Sequence, residues 1–327
     1  MTVEPAPRPD VDPELRPLLD LLPAVPLTAA TLPAVRAAAA TPPEALAALL
    51  AGRGVERRDV VATSPHGDPV PLTVLSPARR DPSVPAPVVY WMHGGGMVLG
   101  DRFSQIDVPL DWLDRFGAVV VTVEYRLAPE HGGTVPVEDC YRGLVWVAEH
   151  AAELGVDPEL LVVAGTSAGG GLAAGVTLLA RDRGAPAVAA QVLVCPMLDH
   201  RGGTGSGRQF AEGPATWTGA QNAFGWSAVL GEHPAGVSPY ISPALAADLS
   251  GLPPTYVDLG SAEVFRDEDV AYAARIWAAG GEAELHVWAG GFHGFDSLVP
   301  DARVSRTARA TRTAWLGRRL TDPASGA

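Results

Sequence analysis

Lysine is absent from the 327-residue chain, so all 24 of its basic side chains are arginines. Against 37 acids they leave a formal net charge of −13, and they are scattered along the chain. A surface that tracks a phosphate backbone needs clustered positive charge, so nucleic acid is not expected as a partner. Cysteine is nearly absent too: there are two, Cys140 and Cys195. Two cysteines make no disulfide framework, and no Cys/His group has zinc-ligand spacing. Both are expected as buried free thiols, and no metal site is expected. No apolar run approaches the ~18 residues of a membrane span, so membrane insertion is not expected. The opening MTVEPAPRPDVDPELRP is proline-rich and acidic, without the basic start and apolar core of a secretory signal. A cytoplasmic protein is the expectation.

What the sequence does have is rhythm. Residues 1–50 alternate prolines with short helical pieces such as PELRPLLDLL and PEALAALLAG. VERRDVVATS, HGDP as a turn, and VPLTVLS then read as a hairpin. Six further β-prone runs follow: APVVYWM, GAVVVTVEY, ELLVVAG, AAQVLVC, PTYVDLG and AELHVW. Helical periods separate them, over 104–116, 137–154, 168–183 and 266–280, with a last one over 303–320. Continuous apolar strands alternating with helices predict an α/β fold with a mostly parallel sheet covered on both faces. With the hairpin the sheet has eight strands. Sites in such sheets lie at the carboxyl ends of the strands. One long insertion after the sixth strand breaks the rhythm, beginning glycine-rich and then carrying Phe210, Trp217, Phe224 and Trp226. The division predicted is a catalytic domain over 51–199 and 246–327, a cap insertion over 200–245, and an N-terminal helical part of that cap over 1–50.

VVAGTSAGGGLAA places Ser167 between Gly165 and Gly169 where a strand run meets a helical one. Gly-X-Ser-X-Gly in that setting is the nucleophile elbow of α/β-hydrolases: a strained turn lifts the hydroxyl clear of the sheet, and side chains at ±2 would clash. Gly184 is a plausible helix stop. A serine nucleophile generates an oxyanion, which needs N–H donors aimed at it. Gly94 and Gly95, in the run Met92-His93-Gly94-Gly95-Gly96-Met97 directly after a strand, are the candidate donors, joined by Ala168.

The serine needs a base, and the base an orienting acid. Among eight histidines, His293 in GGFHGF directly follows the last strand run. His286 lies inside that run, His200 and His233 in the cap, His131 in another loop, and His66 and His150 at a turn and a helix end. His93 suits a loop-fixing hydrogen bond. The acid should follow the seventh strand run, where Asp258 is inside the strand and Asp267 to Asp269 open a helix whose dipole favours acids in any case. Glu263, in the connection, is the first candidate and Asp267 the second.

Taken together, HGGG at 93–96, EYRLAPEH at 124–131, GTSAGG at 165–170, SPYISPALA at 238–246, RDE at 266–268 and FHGF at 292–295 resemble the bacterial hormone-sensitive-lipase-like esterases of the α/β-hydrolase fold. The resemblance implies Ser167 as nucleophile and His293 as base. Where the family commonly has Asp-Pro-Leu-Arg-Asp-Glu, this chain has Glu263-Val264-Phe265-Arg266-Asp267-Glu268, which puts a glutamate at the acid position. It also implies tolerance of bulky alcohols at the glycine loop, and a homodimer formed through the last strand and helix.

The function expected is a serine carboxylesterase working through an acyl-enzyme, with no metal or organic cofactor. Met97, Leu99, Trp217, Phe224 and Trp226 are expected to wall an apolar pocket that prefers short acyl groups of a small-molecule ester. The same triad would also serve an amidase or carbamate hydrolase. A non-catalytic receptor is the remaining alternative, but receptors of this kind lose the histidine, and here Ser167, His293 and an acid are all retained.

Overall fold

The computed structural model describes residues 7–21, 25–64, 67–231 and 234–321. Eight strands form one sheet: β1 (Val55–Ser64), β2 (Gly67–Pro77), β3 (Ala86–Met92), β4 (Val119–Val123), β5 (Val156–Thr166), β6 (Ala190–Val194), β7 (Thr255–Ala262) and β8 (Ala283–Phe292). Their spatial order is β1-β2-β4-β3-β5-β6-β7-β8. The first two pair antiparallel with each other and β2 antiparallel with β4; β4, β3, β5, β6, β7 and β8 run parallel. This is the eight-stranded, mostly parallel sheet expected from the apolar runs. The turn does not fall at HGDP, because Gly67, Asp68 and Pro69 already belong to β2; His66 and His233 lie outside the described residues.

Twelve α-helices accompany the strands among the described residues. Three short ones, α1 (Arg16–Leu21), α2 (Leu32–Ala39) and α3 (Pro43–Leu50), precede the sheet. Between strands lie α4 (Asp107–Phe116), α5 (Val135–Glu149), α6 (Ala151–Leu154) and α7 (Ala168–Arg183). The long insertion carries α8 (Gly205–Gln209) and α9 (Gly219–Leu230), and α10 (Arg266–Ala278), α11 (Phe295–Leu298) and α12 (Arg303–Thr321) complete the chain. The helix expected over 266–280 ends at Ala278, and expectation and structure differ more at two others. The one expected over 104–116 starts at Asp107, since Gln105 stands at φ +54, outside right-handed helical space. That expected over 137–154 is two helices that meet at His150.

Adjacent residues of a strand face opposite sides of the sheet. On β3, Tyr90 donates from its hydroxyl to Cys140 O of α5, while Trp91 packs edge-on against Trp112 of α4. These two helices therefore cover opposite faces. β4 and β6 are buried along their whole length, as a doubly covered parallel sheet requires. Cys140 and Cys195 are buried and unbridged. Among the described residues no helix is long and apolar enough to cross a membrane.

The N-terminal helices are tied to the carboxyl end of the sheet. Arg36 donates to Val98 O at 2.7 Å and Ala128 O at 2.5 Å and pairs with Glu130. Thr41 donates from N and Oγ1 to the Asp101 carboxylate at 2.6 and 2.9 Å. Arg8 donates to Gln209 O at 2.6 Å, linking this tract to the long insertion.

Candidate active site

At the carboxyl end of β5 the chain reverses into α7 through Ser167, which stands at φ 56 and ψ −123. Glycine is required on either side: a Cβ on Gly165 would lie 2.2 Å from Gly169 O, and one on Gly169 2.1 Å from Met92 O. The elbow is held from beneath by Ser167 N–H donating to Val194 O at 2.8 Å and by Met197 N–H donating to Ser167 O at 2.9 Å. α7 runs from Ala168 to Arg183 and stops at Gly184 with φ +75, as expected.

Ser167 Oγ lies 3.0 Å from His293 Nε2, and His293 Nδ1 lies 2.6 Å from Glu263 Oε2. The second oxygen of Glu263 accepts from Gly260 N–H at 2.9 Å, so both are engaged and the carboxylate is fixed. Since the carboxylate accepts, the imidazole presents N–H at Nδ1 and leaves Nε2 to accept from the serine hydroxyl. All three residues are buried, with Glu263 at 1% exposure. The other acid considered, Asp267, is turned away: it accepts from Ser206 N–H at 2.7 Å and pairs with Arg266. Asp258 is in β7, and Glu268 accepts from Leu198 and Asp199 N–H at 2.8 and 3.1 Å.

The glycine loop after β3 is built by its own side chains. His93 is buried, stacks on Tyr125 and donates from Nδ1 to Gly94 O at 2.7 Å. Burial pushes its pKa down to about 4, so it is a neutral fastener, as its place in the motif implied. Gly94 is the correction. Its N–H donates to Gln105 Oε1 at 2.9 Å, which removes it from the donors free for an oxyanion. The N–H groups of Gly95, Gly96 and Ala168 have no protein acceptor among the described residues.

A cavity of about 450 Å³ opens over Ser167 and His293. Ala39, Leu99, Trp217 and Leu298 give it apolar walls, and Ser104, Gln105, Thr216 and Gln221 polar ones. Of the five side chains expected at the pocket, Leu99 and Trp217 line it. Met97, Phe224 and Trp226 do not: Met97 is buried at φ +60 with its carbonyl on Ala128 N–H, Phe224 is half-buried against the core, and Trp226 packs on His200. Ala39 and Gln105 carried no motif and were missed. Thr216 hydrogen-bonds His293 O at 2.5 Å and was equally silent in sequence. Cys195 Sγ lies with Glu263 and His293 in the one group of three metal-ligand types found together among the described residues. Burial raises that thiol well above its usual range, and the carboxylate and imidazole already hold each other, so the group suits a hydrogen-bonded pair better than an ion.

Ser167 on its left-handed turn, the His293 imidazole and the Glu263 carboxylate stand in one hydrogen-bonded line, with the Gly95, Gly96 and Ala168 N–H groups beside them, an arrangement suited to nucleophilic attack on a carbonyl. Residues 89–297 match the family described as alpha/beta hydrolase fold. A carboxylesterase from Mycobacterium tuberculosis, NlhH, is 35% identical over 315 residues, spanning 94% of this chain and 97% of the relative. Among solved structures, a bacterial heroin esterase superposes with a TM-score of 0.86 at 40% identity, covering 95% of this chain and 98% of that one. Esterase LipW from Mycobacterium marinum superposes at 0.85 with 34% identity, covering 96% and 98%. The chain belongs to the alpha/beta hydrolase fold family and, within it, to the bacterial hormone-sensitive-lipase-like esterases.

Proposed function

We propose that this carboxylic ester hydrolase cleaves short-acyl esters through an acyl-enzyme on Ser167. The observation that carries the reading is the unbroken line Glu263–His293–Ser167, at 2.6 and 3.0 Å. Ser167 Oγ attacks the ester carbonyl while His293 Nε2 takes its proton. The imidazolium is stabilised by Glu263 and returns the proton to the departing alcohol; water then repeats the sequence on the acyl-enzyme. Gly95, Gly96 and Ala168 N–H receive the oxyanion. The short-acyl preference rests on the limited size of the cavity, about 450 Å³, and on its apolar lining by Leu99, Trp217 and Leu298. Residues 200–245 and the N-terminal tract to residue 50 act as the cap, because Trp217, Thr216 and Ala39 reach the site from them.

Hydrolysis of p-nitrophenyl acetate, butyrate and octanoate tests this. Ser167→Ala and His293→Ala should lose on the order of 10⁶-fold in kcat, and Glu263→Gln on the order of 10⁴-fold. Asp267→Asn should stay within about tenfold of the wild type, because its carboxylate serves a helix contact and not His293. Equal losses in Glu263→Gln and Asp267→Asn, or faster turnover of octanoate than of butyrate, would defeat the corresponding part.

A further inference from the structure

Gln105 is a polar residue in a conformation that L-residues seldom take, at φ +54, and no motif accounts for it. It lies near the end of the loop that begins at His93, directly before Ile106, the cap of α4. Its Oε1 accepts from Gly94 N–H at 2.9 Å. A backbone N–H can only donate, which fixes the orientation of the amide.

The carbonyls of this loop are tied off by other groups. His93 O accepts from the Tyr125 hydroxyl at 2.8 Å and Gly94 O from His93 Nδ1 at 2.7 Å. Gly95 O accepts from Val98 and Leu99 N–H, Met97 O from Ala128 N–H, and Val98 O from Arg36 Nε. Gly94 N–H is held by the Gln105 side chain, whereas the next two, Gly95 and Gly96, meet no acceptor among the described residues. Gly94 is also wedged against the nucleophile: a Cβ on it would lie 3.1 Å from Thr166 O, 3.2 Å from Ser167 Cβ and 3.3 Å from Gln105 Oε1. A shift of Gly94 therefore moves the two N–H groups that follow it relative to Ser167 Oγ.

We infer that Gln105 is a positioning residue for the oxyanion hole: its carboxamide anchors Gly94 so that the Gly95 and Gly96 N–H groups keep their aim at the substrate oxygen. The inference rests on the esterase reading above. The cost of losing it falls on the transition state, where the charge develops, and spares the ground-state ester, which binds the donors weakly.

The test uses Gln105→Met, which keeps the length without a carboxamide oxygen, and Gln105→Asn, which tolerates the left-handed backbone but is one methylene too short. Steady-state kinetics on p-nitrophenyl butyrate are paired with inhibition by an alkyl trifluoromethyl ketone, whose adduct with Ser167 carries an oxyanion. Both variants should lose about 10- to 100-fold in kcat with KM within about twofold, less than deletion of a donor itself. The inhibition constant for the ketone should rise by the same factor, while thermal midpoints stay close to the wild type. Turnover and ketone affinity within about threefold of wild type in both variants, or parallel losses in kcat, KM and melting temperature, overturn the role. Ser167→Ala, run alongside, separates the failures. If it is inactive and the Gln105 variants are not, this inference alone falls; if it retains wild-type turnover, the esterase reading fails and takes this inference with it.

Discussion

Trp217 is the largest side chain among the residues that line the site. Its ring lies so close to Gly96 that a Cβ there would be 2.6 Å from two of its atoms, and it lines the cavity together with Leu99 and Leu298. An indole buries on the order of 200 Å², so its removal opens space for several methylenes. Trp217→Leu should therefore raise kcat/KM for p-nitrophenyl octanoate relative to butyrate by about tenfold, within the roughly 1–3 kcal/mol that a pocket can discriminate. An unchanged octanoate-to-butyrate ratio in a folded variant would place the limit on acyl length elsewhere. That Trp217 and not Trp226 has this place was beyond the sequence: Trp217 stands just ahead of Thr218, the cap of α9, and Trp226 lies within that helix, a break that aromatic spacing does not show. The candidate triad was legible because its chemistry demands particular residues at particular strand ends, and Ser167, His293 and Glu263 do meet there. Gly94 was misread as a donor because the partner that occupies it, Gln105, has no motif and takes its position from a left-handed backbone.

At the scale of elements, α12 locks the histidine loop to the sheet. Arg312, 1% exposed, donates to Asp258 of β7 and to Asp296 of α11, each at 2.9 Å. α11 begins two residues after His293, so this clamp sets where the imidazole stands. Arg309 adds a donation to Asp296 O at 3.1 Å and pairs with Asp111 of α4. Removing one member of a buried charge group leaves its partners uncompensated, at a cost of about 3–5 kcal/mol. Arg312→Met should lower unfolding free energy by that amount in urea titrations, and Asp258→Asn/Arg312→Met/Asp296→Asn should recover much of it. A triple variant as unstable as the single one would mean that shape, and not uncompensated charge, is what Arg312 supplies. The strands and helices around this clamp were readable because apolar runs and helical periods are local signals. The clamp was not, since Asp258 and Arg312 are far apart in sequence and meet only through tertiary packing.

Over the whole molecule, the acid excess reaches into the interior behind β6 and β7. Glu268 is buried on two backbone N–H donors, and Asp269 beside it is fully buried with neither oxygen bonded among the described residues. Burial outweighs the two donors and pushes Glu268 up to about 8; burial and the Glu268 charge push Asp269 up as well. A carboxyl whose native pKa is raised holds its proton more tightly in the folded state. Its contribution is therefore complete below the unfolded value near 4.5 and is lost as the pH climbs through about 8. His93 acts with the opposite slope: its pKa is lowered to about 4, so stability is lost as the pH falls from about 6.5 toward 4. The two slopes oppose each other below about pH 6.5 and leave only the carboxyl pair between there and pH 8. Unfolding free energy should consequently fall across that upper window, and Glu268→Gln/Asp269→Asn should flatten the fall. The carboxamide introduced by Glu268→Gln keeps an oxygen for the Leu198 and Asp199 N–H groups, so those two donors stay satisfied. The double variant should therefore be at least about 1 kcal/mol more stable than wild type at pH 8 relative to their difference at pH 6.5. Urea titrations at the two pH values measure this directly; parallel losses in both proteins would show that the buried pair is not what limits stability at high pH.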